Sequence, residues 1–396
     1  MTRKPELLAP AGDLEKLQTA VRFGADAVYV GAGPYSLRTQ QTAFDLEALE
    51  QGLTFAHQHK VKVYLAMNIF AFDDDLAGMS KYLEQAKKLG IDAVIISDPG
   101  LISLVQKERI KIHLSTQANT LNTAAVKFWR ERGIERVVLG RELSLSQVKK
   151  IKENVPGMEI ELFVHGAMCM SYSGRCLLSK HLTGKSANRG ECTQPCRWEY
   201  RLKEVTRPDE EFLIKEDARG TYVMNSKDLC LIEHIPELIK AGVDSFKIEG
   251  RMKSPYYVAL VTKIYRQALD STNYNTDWKK ELENVSHRNY TTGFYLGEDD
   301  AENAGRGAYV RNYTFVGVIK NYDPKTQELE IKVRNYFAVG DELEIIDPKV
   351  EAVRNFKVQN IRQDDNAIIS EAHNELQVFV PADFPVSQDS LLRRKV

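Results

Sequence analysis

The chain has 396 residues, of which 43% are apolar and 28% are charged, and its formal net charge is -1. This composition is typical of globular proteins and excludes the disordered and collagen-like classes. The first residues lack the apolar core of a signal peptide, and no apolar run approaches the ~18 residues of a membrane-spanning helix. We therefore expect a cytoplasmic protein, and any nucleic-acid partner would have to bind a local basic patch.

Up to about residue 270, short apolar segments alternate with longer segments of helical periodicity, which is the pattern of βαβ units and a parallel sheet. Helical segments such as 13–24 and 122–133 begin at a capping residue and end at glycine. The predicted strands are 6–10, 27–31, 63–67, 93–97, 112–116, 136–140, 160–164 and 245–250. Eight such units predict a TIM-type (β/α)8 barrel over residues 1–270, with an open doubly wound sheet as the alternative.

The remaining segments predict an insertion and a second domain. The loop after the seventh strand, about residues 165–226, is far longer than usual and precedes a predicted helix around 229–242. A bridging segment, 271–310, leads to a region without helical periodicity. There, the predicted strands are 315–322, 328–335, 340–347, 354–361 and 376–382. We expect a small all-β barrel over 311–396 that either caps the first domain or, through the basic segment 391–395, grips a macromolecule.

Four of the five cysteines lie in the insertion: Cys169, Cys176, Cys192 and Cys196. Disulfides are disfavoured in a reducing cytoplasm, and independent buried thiols would not cluster in this way. Four thiolates can hold either zinc or an iron–sulfur cluster. The spacing lacks the Cys-x-x-Cys pattern of zinc sites, and the position at a barrel strand end modestly favours iron–sulfur. We expect Cys230, in contrast, to pack in the core.

Active sites of TIM barrels lie where the strands end. Polar residues at these positions are expected to form a ring: Asn68, Asp98, Gln117, Asn119, Arg141, Glu142, His165, Glu249 and Arg251. On the last strand, Lys247 and Glu249 alternate with apolar residues and share one face, where a buried charge needs a partner or a function. His165, between strand and cysteines, is a candidate proton carrier, hydrogen-bond donor to a metal ligand, or structural histidine.

The segment around the first two cysteines resembles the signature of peptidase family U32, the collagenase-like proteins. The likeness is carried by Glu161, Phe163, Gly166, Ala167, Met168, Cys169, Gly174, Cys176, Leu178 and Ser179. ELLAPAGDLEKL, NRGECTQPCR, SKDLCLIEHIPELIKAGVDSFKIEGRMKSPYYV and NYTTGFY also resemble that family. The resemblance therefore extends along nearly the whole chain.

This resemblance implies an enzyme that hydroxylates its substrate without molecular oxygen. A barrel with one small β domain is most similar to the branch that forms 5-hydroxyuridine at the wobble position of tRNA. That branch implies a [4Fe–4S] cluster on the four cysteines of the insertion and prephenate as the hydroxyl donor. The implied partners are the tRNA anticodon loop and prephenate, with a related partner subunit as a further possibility and no membrane.

Candidate roles follow from the substrates that the resemblance implies. Arginines bind carboxylates as forks, and aromatic rings such as Tyr35, Tyr172 and Trp198 could stack on a uridine. The candidate substrate-binding residues are Arg38, Asn68, Gln117, Arg141, Arg189, Arg197 and Arg251, and the candidate catalytic residues are His165, Lys247 and Glu249. Two alternatives remain open: a peptidase that uses Cys169 as thiol and His165 as base, and a binding adaptor with a structural metal.

Overall fold

The computed structural model describes most of the chain and contains two domains. The described residues are 4–37, 44–169, 171, 175–198, 216–217, 220–221, 227–271, 273–297 and 312–396. The first domain is a barrel of parallel strands surrounded by helices, and the second is an antiparallel sheet.

The barrel is closed by eight parallel strands. In chain order these are β1 (Glu6–Pro10), β2 (Ala27–Gly31), β3 (Lys62–Met67), β4 (Ala93–Ile96), β5 (Lys111–Leu114), β6 (Arg136–Val138), β7 (Glu159–Ala167) and β11 (Ser245–Ile248). Three short strands lie between β7 and β11 in the chain and are not part of the closed barrel: β8 (Glu216–Asp217), β9 (Gly220–Thr221) and β10 (Asp228–Cys230). Strands β1 to β7 pair in sequence, and β11 pairs in parallel with both β1 and β7. This closure confirms the predicted TIM-type barrel and excludes the open sheet.

The helices follow the strands. They are α1 (Leu14–Arg22), α2 (Leu46–Gln58), α3 (Asp73–Leu89), α4 (Pro99–Lys107), α5 (Thr123–Glu131), α6 (Leu145–Asn154), α7 (Leu178–Thr183), α8 (Ile235–Lys240), α9 (Pro255–Asp270) and α10 (Asp277–Leu282). As predicted, Asp13 and Asn122 cap α1 and α5 by accepting hydrogen bonds from the backbone N–H groups of Lys16 and Ala125. In the described part of the chain, no helix is long and apolar enough to cross a lipid bilayer.

The predicted helix at 229–242 is correct only in its second half. Residues Asp228–Cys230 instead form β10, which pairs antiparallel with the end of β7, and the helix itself is Ile235–Lys240. A strand is favoured here because β7 extends beyond its barrel neighbours and leaves backbone groups that need partners. Cys230 is buried as expected, and burial raises the pKa of its thiol to about 12.

Alternation along the strands divides the barrel core into two layers. Residues such as Leu7 and Val28 pack outward against the helices, whereas Leu8 and Tyr29 point into the barrel. The apolar part of the interior is small, consisting of Leu8, Ala27, Tyr29, Tyr64, Ala66, Ala93 and Ile95. The rest of the interior is therefore available for charged side chains.

After β12 (Tyr290–Thr291), which pairs with β10, the chain forms the all-β domain. Its strands are β13 (Tyr313–Asp323), β14 (Glu328–Val333), β15 (Phe337–Ala338), β16 (Glu342–Ile346), β17 (Arg354–Lys357), β18 (Ile361–Gln363), β19 (Ile368–Ile369), β20 (Glu371–Ala372), β21 (Gln377–Pro381) and β22 (Leu391–Lys395). Eight of them form one antiparallel sheet around a separate apolar core, whereas β15 and β20 pair with each other. The predicted all-β second domain is confirmed.

The basic segment 391–395 is a central strand, β22, between β13 and β16. The Arg393 side chain is only 2% exposed and donates to Glu344 at 2.7 Å and to Glu281 of α10 at 2.5 Å. Nearby, Lys263 of α9 donates to the carbonyls of Asp347 and Val350 at 3.0 and 2.7 Å. Arg393 therefore holds the β domain against the barrel, which favours the capping interpretation for this side chain.

Candidate active site at the mouth of the barrel

Charged residues close the amino-terminal end of the barrel. Arg136 donates to Glu6 at 2.5 Å and to Glu161 at 3.2 Å, and the Tyr64 hydroxyl donates to Glu6 at 2.7 Å. Burial alone would raise the pKa of Glu6, but the Arg136 guanidinium and its hydrogen bonds hold this pKa below its usual value. Because these side chains fill the floor, access to the interior is from the opposite end, the mouth, where the strands end.

Lys247 lies above this floor. Its ammonium donates to Glu161 at 2.9 Å and lies 4.7 Å from the ring centroid of Tyr29 and 5.3 Å from that of Phe163. Burial lowers the pKa of Lys247, although Glu161 opposes the shift. The amine can therefore release a proton more readily than an exposed lysine, as catalytic lysines do.

Two arginines lie at the mouth, and each is near one of the two rings that flank Lys247. Arg141 lies 3.9 Å from the ring centroid of Phe163 and donates to the carbonyl of Ala167 at 2.7 Å. Arg251 is 4% exposed, lies 5.9 Å from the ring centroid of Tyr29 and donates to the Ser36 hydroxyl at 2.6 Å. With Lys247, these side chains place three cations around Tyr29 and Phe163, an arrangement that favours an anionic ligand.

Asn68 and Gln117 link the loops around the mouth. The Asn68 amide donates to the Gln117 side chain at 3.3 Å and accepts from the Leu37 N–H at 3.2 Å. Ser115 also donates to Gln117. These contacts bring the loops after β2, β3 and β5 together, as the predicted ring requires. The buried side-chain oxygen of Asn119 has no hydrogen-bond partner among the described residues.

Glu249 and His165 are separated by a bulge in β7. Lys247 pairs with Phe163 but Ile248 pairs with His165, so one residue of β11 faces two of β7. The bulge turns His165 outward, beside Tyr257, Tyr265 and Tyr290 at centroid distances of 5.9, 5.5 and 5.4 Å. His165 thus lies behind the barrel wall, whereas half-buried Glu249 follows β11 at the mouth.

The imidazole of His165 is isolated from solvent. It is 1% exposed, its Nδ1 lies 3.4 Å from the Tyr265 hydroxyl, and its Nε2 has no partner within the described part of the chain. Desolvation lowers the pKa of His165 to about 3, so the ring is neutral at pH 7. Cys169 is exposed and accepts from the Ser171 N–H. The two side chains do not form a thiol–imidazole pair.

Two arginines attach the insertion to the barrel. Arg189 forms a bidentate pair with Asp75 and donates to the carbonyl of Phe70 at 3.0 Å. Arg175 donates to the carbonyl of Gln117 through Nε and Nη2, at 3.3 and 3.2 Å. The predicted substrate-binding residue Arg189 is therefore engaged by Asp75 and positions the insertion on the loop after β3.

The four clustered cysteines flank α7 in the chain, two before it and two after it. Cys169 is exposed and the other three are half-buried. The Cys176 N–H donates to Asn188 at 3.1 Å, and Thr193, next to Cys192, pairs with Ser179 of α7 at 2.9 Å. The number and type of ligands suit an iron–sulfur or zinc site. However, across the described ranges no three His, Cys, Asp or Glu side chains are close enough to hold a metal ion.

The remaining predicted residues have mixed positions. Arg38 and Tyr172 lie outside the described residues, as does the side chain of Arg197. Tyr35 packs edge-on against Tyr82 of α3 at 6.1 Å, so it belongs to the helix layer. Trp198 is 43% exposed at the end of the described insertion.

Several residues of the barrel interior and mouth were not singled out as functional from the sequence. Glu161, Arg136, Tyr29 and Phe163 surround Lys247, and Ser36 holds Arg251. The sequence did carry a signal for Glu161, because a glutamate in the apolar segment IELFV must be buried with a cation. Its partners could not be identified from the sequence, because they lie on other strands and the pairing depends on the register of the barrel.

The comparisons with known proteins agree with this architecture. The sequence matches the model of peptidase family U32 over residues 12–305 and that of the peptidase family U32 C-terminal domain over residues 311–393. The chain belongs to peptidase family U32. Together the two matched regions include the barrel from α1 onward, the insertion and nearly all of the β domain.

Members of family U32 with curated names are similar along nearly the whole chain. "tRNA hydroxylation protein P1" of Bacillus subtilis is 41% identical, with 96% of this chain and 92% of that protein covered. "tRNA hydroxylation protein P" of Escherichia coli is 39% identical over 98% and 94%. A protein named "Collagenase" from Porphyromonas gingivalis is 35% identical over 90% of each chain.

Proposed function

We propose that this U32 protein is a tRNA hydroxylase that forms 5-hydroxyuridine at the wobble position. The observation that carries the proposal is the similarity, at 41% and 39% identity over both domains, to proteins named for tRNA hydroxylation. The site supports an enzyme, because a buried amine lies beside two aromatic rings that are also near guanidinium groups. A uridine must leave its stack to reach a site at the mouth of a barrel.

Prephenate is proposed as the hydroxyl donor. Its two carboxylates suit the guanidinium groups of Arg141 and Arg251, which hold neighbouring positions at the mouth. Asn68 and Gln117 would orient polar groups of the ligand from the adjacent loops. Lys247 and Glu249 are the proposed proton-transfer residues, and the Glu161 carboxylate fixes the Lys247 ammonium.

We also propose a [4Fe–4S] cluster on Cys169, Cys176, Cys192 and Cys196, which would make the hydroxylation oxygen-independent by supplying its redox chemistry. The support is the set of four thiols in one insertion attached to the mouth. Because metal binding commonly completes a site by ordering its ligands, the cluster would have to draw the four sulfur atoms together.

The decisive experiment combines nucleoside mass spectrometry with iron analysis. A strain lacking the gene should lose 5-hydroxyuridine, and the wild-type gene should restore it. Wild-type protein purified anaerobically should contain about four irons per chain. Cys176→Ala should abolish both this iron content and the restoration of 5-hydroxyuridine. The control Cys230→Ala, a buried thiol outside the insertion, should keep both. A zinc-loaded wild-type protein would contradict the cluster, and unchanged tRNA in the deletion strain would contradict the hydroxylase.

The peptidase alternative lacks support in the geometry. A cysteine peptidase requires a base within hydrogen-bond reach of the thiol. Here the His165 imidazole lies behind the barrel wall against tyrosine rings, whereas Cys169 is exposed. The Cys169–His165 pair that a cysteine peptidase would use is therefore not formed.

A further inference from the structure

Phe72, at the edge of the mouth, is an unusual residue for the start of a helix. It occupies the N-cap position of α3, in the loop after β3, and is 65% exposed. Ser, Thr, Asp and Asn are preferred at this position because their side chains accept a hydrogen bond from the first turn. Six other helices use such a side chain, from Asp13, Asp45, Asp98, Asn122, Ser144 and Ser254. Departures of this kind concentrate at functional sites.

The aromatic ring of Phe72 is held in place from one side. The guanidinium carbon of Arg189 lies 4.6 Å from the ring centroid, over its face. Arg189 is itself fixed by Asp75 and the carbonyl of Phe70, and the N–H of Phe72 donates to Asp75 at 2.7 Å. The ring is therefore preorganised, with a cation behind it and most of its surface open to solvent.

Phe72 is followed by Asp73, Asp74 and Asp75, whereas the segment that Arg189 anchors beside it is basic and contains further exposed apolar side chains. Residues 175–198, here called the rim segment, contain five Lys or Arg residues and one acidic residue, Glu191, in a chain of net charge -1. Lys180 and Lys185 are exposed. Leu177 and Trp198, at the two ends of the rim segment, are 76% and 43% exposed. The combination of cations and open aromatic faces suits single-stranded nucleic acid.

We propose that the rim segment binds the backbone of a single-stranded RNA loop and that Phe72 stacks on one of its unpaired bases. The inference rests on the proposed tRNA substrate and assigns where that RNA docks. Excess positive charge favours RNA over a protein partner, because an apolar protein interface does not require it. Stacking on a ring backed by a guanidinium gains affinity without base specificity.

The test is fluorescence anisotropy of the full-length protein with a labelled anticodon stem-loop RNA. Phe72→Ala should raise the Kd at least about fivefold, and Phe72→Trp should restore it, since a stacked base contributes roughly 1–3 kcal/mol. The matched control is Phe128→Ala on α5. Phe128 is 43% exposed and also carries a stacked guanidinium, from Arg132 at 3.4 Å, but lies away from the rim segment. This variant should bind RNA like the wild type.

The salt dependence separates the two parts of the inference. Changing both Lys180 and Lys185 to Ala should reduce the slope of log Kd against log salt by about 1.4, the value for two released counterions on a single strand. Phe72→Ala should leave this slope unchanged. Equal effects of Phe72→Ala and Phe128→Ala, or no rescue by Trp, would overturn the stacking role.

Two outcomes distinguish this inference from the proposed function. If the deletion strain lacks 5-hydroxyuridine but Phe72→Ala binds the stem-loop normally, the hydroxylase stands and the docking site is wrong. If Phe72→Ala instead changes the sedimentation coefficient without changing RNA affinity, the surface is a protein interface and the inference is again wrong.

Discussion

His165 is neutral because the bulge in β7 turns it into the layer between the barrel and α9. Its pKa of about 3 lies below the value of about 6.5 expected in the unfolded chain. Between these values the unfolded state binds a proton that the native state excludes, so the free energy of unfolding falls as the pH is lowered. The stabilising effect is complete above pH ~6.5 and is lost towards pH ~3.

We predict that His165→Gln reduces the acid sensitivity of the protein. In the wild type, this histidine should cost about 2 kcal/mol of stability between pH 7 and pH 5, whereas glutamine does not titrate. Urea unfolding at the two pH values, for wild type and variant, measures the difference. An equal loss of stability in both proteins would show that His165 titrates normally in the folded state.

Residue patterns predicted part of the site. The alternation in SFKIEG correctly placed Lys247 inside the barrel, because β11 is regular up to that residue. The same parity would place His165 on the face of Phe163, but the bulge reverses it. A bulge depends on the partner strand as well as its own sequence, so the reversal was not visible in one strand. The clustered cysteines were visible, but the sequence could not give the distances between their sulfur atoms.

At the level of elements, the insertion is attached to the barrel through a few polar contacts. Arg189 and Asp75 form the strongest of these, and hydrogen bonding to Arg189 is the main cause that lowers the pKa of Asp75. The sequence predicted an insertion from its length. It did not predict the contact with the loop after β3, because residues 75 and 189 are far apart in the chain.

We predict that Asp75→Asn loosens the insertion without unfolding the barrel. The side chains are partly exposed, 16% for Asp75 and 30% for Arg189, so the pair should contribute only about 1 kcal/mol. This corresponds to a roughly fivefold rise in local opening. Trypsin cleavage at Lys180 or Lys185 should accelerate by that factor, while the urea midpoint changes little. Asp74→Asn, at the exposed neighbouring residue, is the control and should leave the cleavage rate unchanged. Identical cleavage rates in the two variants would contradict the role of Asp75 in attaching the insertion.

At the level of the whole molecule, ion pairs hold the β domain against α10 and α1, and hydrogen bonds and a ring stack hold it against α9. Besides Arg393, Arg334 of the β domain pairs with Glu15 of α1 at 2.7 Å, and Tyr256 stacks on Phe315 with centroids 5.8 Å apart. The sequence predicted two domains from the change in periodicity. It could not predict their contact, since the basic segment 391–395 looks like a surface patch until β22 is placed in the sheet.

Arg393→Met should destabilise the whole protein by about 3 kcal/mol, because it leaves Glu281 and Glu344 without their buried cation. The expected result in urea is a lower midpoint for the β domain and for the barrel helices next to it. Arg362→Met is the matched control. Arg362 also pairs with a glutamate, Glu328, but it is 23% exposed and lies within the β domain. A loss of more than about 1 kcal/mol there would contradict the special role of the domain contact.

Glu6, Tyr64 and Arg136 fill the amino-terminal end of the barrel, so a small molecule could approach Lys247 only from the mouth. If an RNA loop covers the opening, as inferred from Phe72 and the rim segment, a small co-substrate has to arrive before the RNA. The product formed from it could leave only after the RNA has dissociated. The inferred arrangement thus predicts an ordered mechanism in which the small molecule binds first and its product is released last.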